Sequence, residues 1–170
     1  MARNIGGFNP YNQGHTVTKD LTVAVNLHTS GDTIGGLQTI TVDLGKSWFG
    51  SELRAVSIID NGAKANASTL YLFRELPSAF ADDIAWVPLR ADIAKFPPGH
   101  KGVVINAGDW ETFTTSDEGT ISVAAKSLSF LGLDLRAGVA STFYAYLIDN
   151  TGLTPVAADD WSLFYHFWID

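Results

Sequence analysis

Carboxylates are the side chains of this sequence best suited to do chemistry. They come in close pairs, Asp82-Asp83, Asp109 with Glu111, Asp117-Glu118 and Asp159-Asp160. Two carboxyl groups facing each other across a cleft can act as acid and base on a glycosidic bond, their separation deciding the stereochemical course. Oxygen donors gathered in a loop can instead hold calcium. Adjacent acids in loops more often accept hydrogen bonds from turn and cap backbone, and Asp82-Asp83, just ahead of Ile84 and Trp86, reads as such a cap.

Other candidate chemistry is thinner. His15, His28, His100 and His166 show no i, i+2 or i, i+4 pairing, so only folding could gather them around a metal. His166 reads as a buried or interfacial histidine with a hydrogen-bond partner. With no cysteine in the chain, thiolate chemistry, zinc-thiolate sites and disulfides are excluded together. Gly45-Lys46-Ser47 follows a strand as a phosphate loop would, but Ile40 stands where that loop needs its first glycine, and Trp48-Phe49-Gly50 replaces the helix. Ser47 fails as a nucleophile elbow because Phe49 occupies a required glycine position. The residues therefore assign no catalytic group, no metal and no cofactor, and the expectation is a protein that is not an enzyme. Trp48, Phe49, Trp86 and Trp110 would suit a sugar-stacking platform if exposed, and would suit a core or a subunit interface equally well.

Composition narrows the classes further. The chain has 170 residues, 46% hydrophobic and 17% charged, with a net charge of −7. That length fits one domain able to bury a real core. No basic cluster is present to exchange counter-ions with nucleic acid, so no direct nucleic-acid binding is expected. Met1 to Gly7 lacks the basic-then-apolar order of a signal peptide, and no apolar run reaches the length of a membrane span. A soluble product made in the cytoplasm, with no membrane partner, is expected.

The elements that must position these residues read mostly as strands. Residues 1–18 are rich in Gly, Asn and Gln and carry no period; they form either a frayed terminus or an extended arm anchored by Phe8, Pro10 and Tyr11. From residue 19 to 170 a single β domain is expected. Leu21-Leu27 and Leu37-Leu44 alternate apolar with polar. Ala55-Asp60 ends in the turn signal Asn61-Gly62, and Ser68-Phe73 is expected to return as its hairpin partner. The strand period then breaks over Pro77, Phe80, Asp82, Asp83 and Trp86, gives way to a short helical pattern at Leu89-Phe96, and stops at Pro97-Pro98-Gly99. Gly102-Asn106, Trp110-Thr114, Thr120-Ala125, Leu128-Leu135 and Thr142-Ile148 follow as further strands.

The final stretch, Trp161-Ile169, is apolar on both faces. It is either a central strand or one set against another subunit, with Trp161, Phe164, His166 and Trp168 as candidate interface residues. Roughly eight to ten short strands between turn signals predict an all-β, antiparallel two-sheet sandwich, jelly-roll-like, with one short helical excursion and an extended N-terminal arm.

The excursion also carries a resemblance. Ile58-Ile59-Asp60-Asn61-Gly62, Leu70-Tyr71-Leu72-Phe73, Leu76-Pro77, Phe80-Ala81-Asp82-Asp83-Ile84-Ala85-Trp86, Asp92-Ile93-Ala94-Lys95 and Gly102-Val103-Val104 follow one another in a recurring order. Together they resemble the decoration (cement, or auxiliary head) proteins of tailed bacteriophages. The tail fits more loosely, through Phe143-Tyr144-Ala145-Tyr146 and Asp160-Trp161-Ser162-Leu163, while Phe96-Pro97-Pro98-Gly99-His100 departs from the pattern. The resemblance implies a virion protein on the outer capsid surface, made in the host cytoplasm. It implies a homo-oligomer, a trimer in this family, bound to the major capsid protein. A carbohydrate-binding or adhesive module of a virion is the alternative reading of the same aromatic-rich surface.

Overall fold

A computed structural model describes residues 13–42, 51–97, 102–117, 119–128, 141–157 and 161–169. Within them the chain forms an antiparallel two-sheet β-sandwich. The strands are β1 (Gln13–Leu21), β2 (Thr33–Val42), β3 (Ser51–Asp60), β4 (Ser68–Phe73), β5 (Val103–Ile105), β6 (Trp110–Thr114), β7 (Thr120–Ser127), β8 (Ser141–Asp149) and β9 (Trp161–Ile169). One sheet runs β1-β9-β3-β7-β6 and the other β2-β8-β4-β5. A single turn of helix, α1 (Arg90–Ile93), lies in the long connection between β4 and β5.

Alternation in the sequence decides which face each strand buries. Ile40 and Val42 of β2 point inward while Thr39 and Thr41 face water. Val56 and Ile58 of β3 meet Leu163, Tyr165 and Phe167 of β9 in the same core as Leu70, Leu72, Phe143 and Leu147 from the opposite sheet. Phe143 packs edge-on against Tyr165 at 5.4 Å and Phe167 at 5.8 Å between ring centroids, an arrangement aromatic quadrupoles favour. Where Tyr165 would bury a bare hydroxyl, it donates to Gln38 Oε1 at 2.9 Å across the sandwich. Burial pushes that phenol far above its ordinary pKa, so it stays a donor at any working pH.

Several expectations need correction. β1 begins at Gln13, so six of its nine residues lie in what reads as an arm, and the strand ends at Leu21 instead of running on to Leu27. Val25 and Leu27 are left exposed, because the backbone beyond Leu21 turns away to bind the excursion. β3 and β4 are not a hairpin: they belong to different sheets. The buried carboxylate of Asp60 accepts from the backbone N–H groups of Gly62, Lys64 and Ala65 and so steers the chain across the sandwich. The left-handed residues there are Ala63 and Ala65, not Asn61 and Gly62. The helical pattern shrinks to α1, because beyond Ile93 the backbone tightens into turns, Lys95 N bonding Asp92 O and Phe96 N bonding Ile93 O, three residues back.

β9 lies inside the five-stranded sheet, bonded to β1 on one side and β3 on the other, so both its edges are paired while its outer face keeps Phe164 half-buried.

Candidate interaction surface

The connection between β4 and β5 folds back over the outer face of the four-stranded sheet and makes a third layer. What draws it there is a second apolar face on that sheet. Phe73, Tyr146 and Ile148 point away from the main core and are buried by Phe80, Trp86 and Phe96 of the connection. Tyr71 lies against Trp86, with ring centroids 4.3 Å apart, and stacks on Phe96 at 5.7 Å. Tyr146 fixes the register, since its hydroxyl donates to Ser78 O at 2.6 Å and accepts from Phe80 N at 2.8 Å. Pro77 is buried in the same layer.

The free edge of β2 supplies the second attachment. Between Ile34 and Gln38 the pairing of β2 with β8 slips, through Gly35-Gly36-Leu37. Both glycines have positive φ, and a Cβ on Gly36 would sit 3.1 Å from Asp82 N and 3.2 Å from Phe80 O, so only glycine lets the connection approach this closely. Backbone freed by the bulge is taken up by the connection: Leu37 N donates to Phe80 O at 3.2 Å and Gly35 N to Asp82 Oδ1 at 2.6 Å. Thr33 N then bonds Ile84 O, and Asp83 N bonds Thr33 O, both at 3.0 Å, so the edge of β2 is covered over these residues.

The two acids that open the chemical reading are used up in this attachment. Asp82 accepts from Ala24 N as well as from Gly35, and Asp83 accepts from the Asn26 amide. They tie residues 22–27 to the connection; they do not cap a helix. Their carboxylates also approach His28, at 3.8 Å from Nε2 and 3.9 Å from Nδ1, beyond hydrogen-bond range. The imidazole is fully buried, so this trio presents nothing to a substrate.

Asp92 is likewise internal. Burial alone would raise its pKa, but hydrogen bonds from Ser78 N, Leu89 N and Lys95 Nζ outweigh that and hold it below the usual carboxylate range. Asp109 and Glu111 do reach solvent, lining a shallow depression of about 240 Å³ with Phe113, Val123 and Ala125. There the Lys126 ammonium, 2.6 Å away, and the Asn106 N–H hold Asp109 below its ordinary pKa, so the carboxylate is a partner in an ion pair. No group of three potential ligands could hold a metal ion among the described residues.

The proposed interface residues separate. Trp161 is fully buried in the core, edge-on to Trp110 at 5.7 Å, and contributes nothing to the surface. The reason is parity: β9 turns Trp161, Leu163, Tyr165 and Phe167 inward, and Phe164 and His166 outward. Phe164 is half-buried on the outer face of the five-stranded sheet. His166 bridges its neighbours there, with Nδ1 3.0 Å from Thr16 Oγ1 and Nε2 2.9 Å from Ser57 Oγ. Trp168 is defined by its backbone pairing with Gly14 and Glu52. Phe8, Pro10 and Tyr11, like Trp48 and Phe49, lie outside the described residues. Neither Trp86 nor Trp110 offers a flat exposed ring; Trp110 donates from its indole to Asn66 O.

Exposed apolar side chains instead collect on the third layer. Leu76, Ile84, Val87, Leu89 and Ile93 from the connection, with Val25 and Leu27 from the loop it grips, are each between 46% and 69% exposed. The signal was present in the sequence as apolar residues without period in Ile84-Ala85-Trp86-Val87-Pro88-Leu89. A segment lying flat on a sheet buries one side, here Phe80, Trp86 and Phe96, and must show the other. Across the molecule, the outer face of the five-stranded sheet is mixed: Thr16, Thr18, Asp20, Ser57 and Ser162, with Ser162 donating to Asp20 at 2.7 Å, share it with the exposed Phe113 and the half-buried Val123 and Phe164. No protein-family model matches the chain, and no curated protein matches its sequence significantly.

Proposed function

We propose that this chain is a viral structural protein, a capsid decoration protein that binds the outer surface of a phage head and stabilises contacts between major capsid subunits. The observation that supports it best is the apolar layer on one side of the sandwich, where seven of the ten large exposed hydrophobic side chains among the described residues lie. Such a layer suits permanent seating against protein. Its net charge of −7 favours the outside of a DNA-filled shell over contact with the nucleic acid. The jelly-roll variant of the sandwich and the trimeric state belong to the same reading, through the resemblance around Leu70–Phe73 and Phe80–Trp86.

Purified protein mixed with undecorated shells is expected to sediment with them at a fixed ratio to the major capsid protein. Free protein left wholly in the supernatant would overturn the assignment. The arm is tested separately. Because β1 starts at Gln13 and pairs with β9, deletion should stop at Asn12 to keep the sheet intact. Loss of shell binding by a folded, truncated protein supports an anchoring arm; full occupancy removes the arm from the mechanism.

A further inference from the structure

The third layer carries an inference about what covers it. We propose that the outward face of the β4–β5 connection is a self-association surface, covered by the same layer of a second copy of this chain about a common symmetry axis. This rests on the assembly reading above and adds to it the surface and its occupant.

Area is the first argument. Seven aliphatic residues left between 46% and 69% exposed on one layer offer roughly 500 Å² of apolar side-chain surface per copy. A standard protein interface takes about 800 Å² from each partner. Somewhat more than half of an interface is apolar, so the patch is large enough to supply that share.

Charge chooses the occupant. Two copies, each at −7, repel one another over most of their surfaces. Residues 74–97 are the exception, with Arg74, Arg90 and Lys95 against Glu75, Asp82, Asp83 and Asp92, a net of −1. Asp82, Asp83 and Asp92 are spent on internal hydrogen bonds, and Lys95 is held by Asp92 and Leu76 O. The exposed charges that remain are Arg74, Arg90 and Glu75, of both signs, around an apolar centre. A patch carrying both signs can meet its own copy, guanidinium to carboxylate, as a symmetric interface requires. The opposite face carries Asp20, Asp109 and Glu111 on and beside it, with Asp109 paired to Lys126.

Sedimentation velocity on the full chain, without shells, tests this. The wild type is expected to run at a multiple of the 18.3 kDa chain mass, and Val87→Asp with Leu89→Asp to run as a monomer. Both positions face water, so circular dichroism and the melting transition should stay those of a folded protein. The milder pair Val87→Ala and Leu89→Ala should weaken association about tenfold or more, which guards against misfolding as the cause. Phe164→Asp, on the opposite face, should leave the oligomer whole. A wild type that is monomeric at about 100 μM, well above interface-grade dissociation constants, overturns the proposal. So does an aspartate pair that keeps the wild-type mass, or an oligomer that falls apart only with Phe164→Asp. If the wild type is a monomer and Val87→Asp abolishes shell sedimentation, the face belongs to the shell: the self-association proposal falls and the decoration reading stands.

Discussion

Asp82 ties its own segment to two other stretches of chain, accepting from Ala24 N in the loop after β1 and from Gly35 N in β2. Removing it strands the part-buried Gly35 donor, at about 1–3 kcal/mol, while the exposed Ala24 N–H can turn to water. Asp82→Ala should therefore lower the urea midpoint clearly, whereas Glu111→Ala, on the exposed side of β6, should stay within about 0.5 kcal/mol. Asp92 adds a pH dependence. Its pKa is depressed in the folded protein, so the native state binds fewer protons than the unfolded chain in acid. That stability is present above the ordinary aspartate range and is lost as pH falls through the native value. Stability measured from pH 7 to 3 should drop below about pH 4 in the wild type, and Asp92→Asn should flatten that limb while lowering the plateau. At this scale the sequence was half legible. Of the adjacent acids, Asp82 is a backbone acceptor as read, while Asp83 takes the Asn26 side-chain amide; their partners, some fifty residues away, have no local signature.

Parity governs the elements. The span Trp161–Ile169 and its two apolar faces are evident from composition; which face meets the core depends on the register with β1 and β3, which no single strand encodes. The resulting contrast can be measured. Trp161→Ala empties the space against Trp110 and should cost about 3–5 kcal/mol, while Phe164→Thr on the outer face should cost under about 1.5 kcal/mol. The connection between β4 and β5 is legible as a break in period and in its short helix. That it lies flat on a sheet follows only from Tyr71, Phe73 and Tyr146 alternating out of the main core. Tyr146→Phe keeps the ring and removes the two hydrogen bonds to Ser78 and Phe80. Faster amide exchange at Phe80, with the protection of β8 itself retained, is the expected signature of a loosened third layer.

For the molecule as a whole, the order of strands in space sets an order in time. β9 follows β1, β3, β7 and β6 in the sequence, yet it is the strand that joins β1 to β3. β8 stands in the same relation to β2 and β4. A ribosome therefore delivers both central strands after the strands that flank them, and the nascent chain carries unpaired edges until Trp161–Ile169 emerges. Few contacts are local in such a chain, so refolding should be slow, on the order of milliseconds to seconds, and prone to aggregate at high concentration. A chain stopped before Trp161 should accumulate in inclusion bodies, not as a soluble fragment. Whatever organism makes this protein must either synthesise it where chaperones are plentiful or keep each unfinished copy apart from the next.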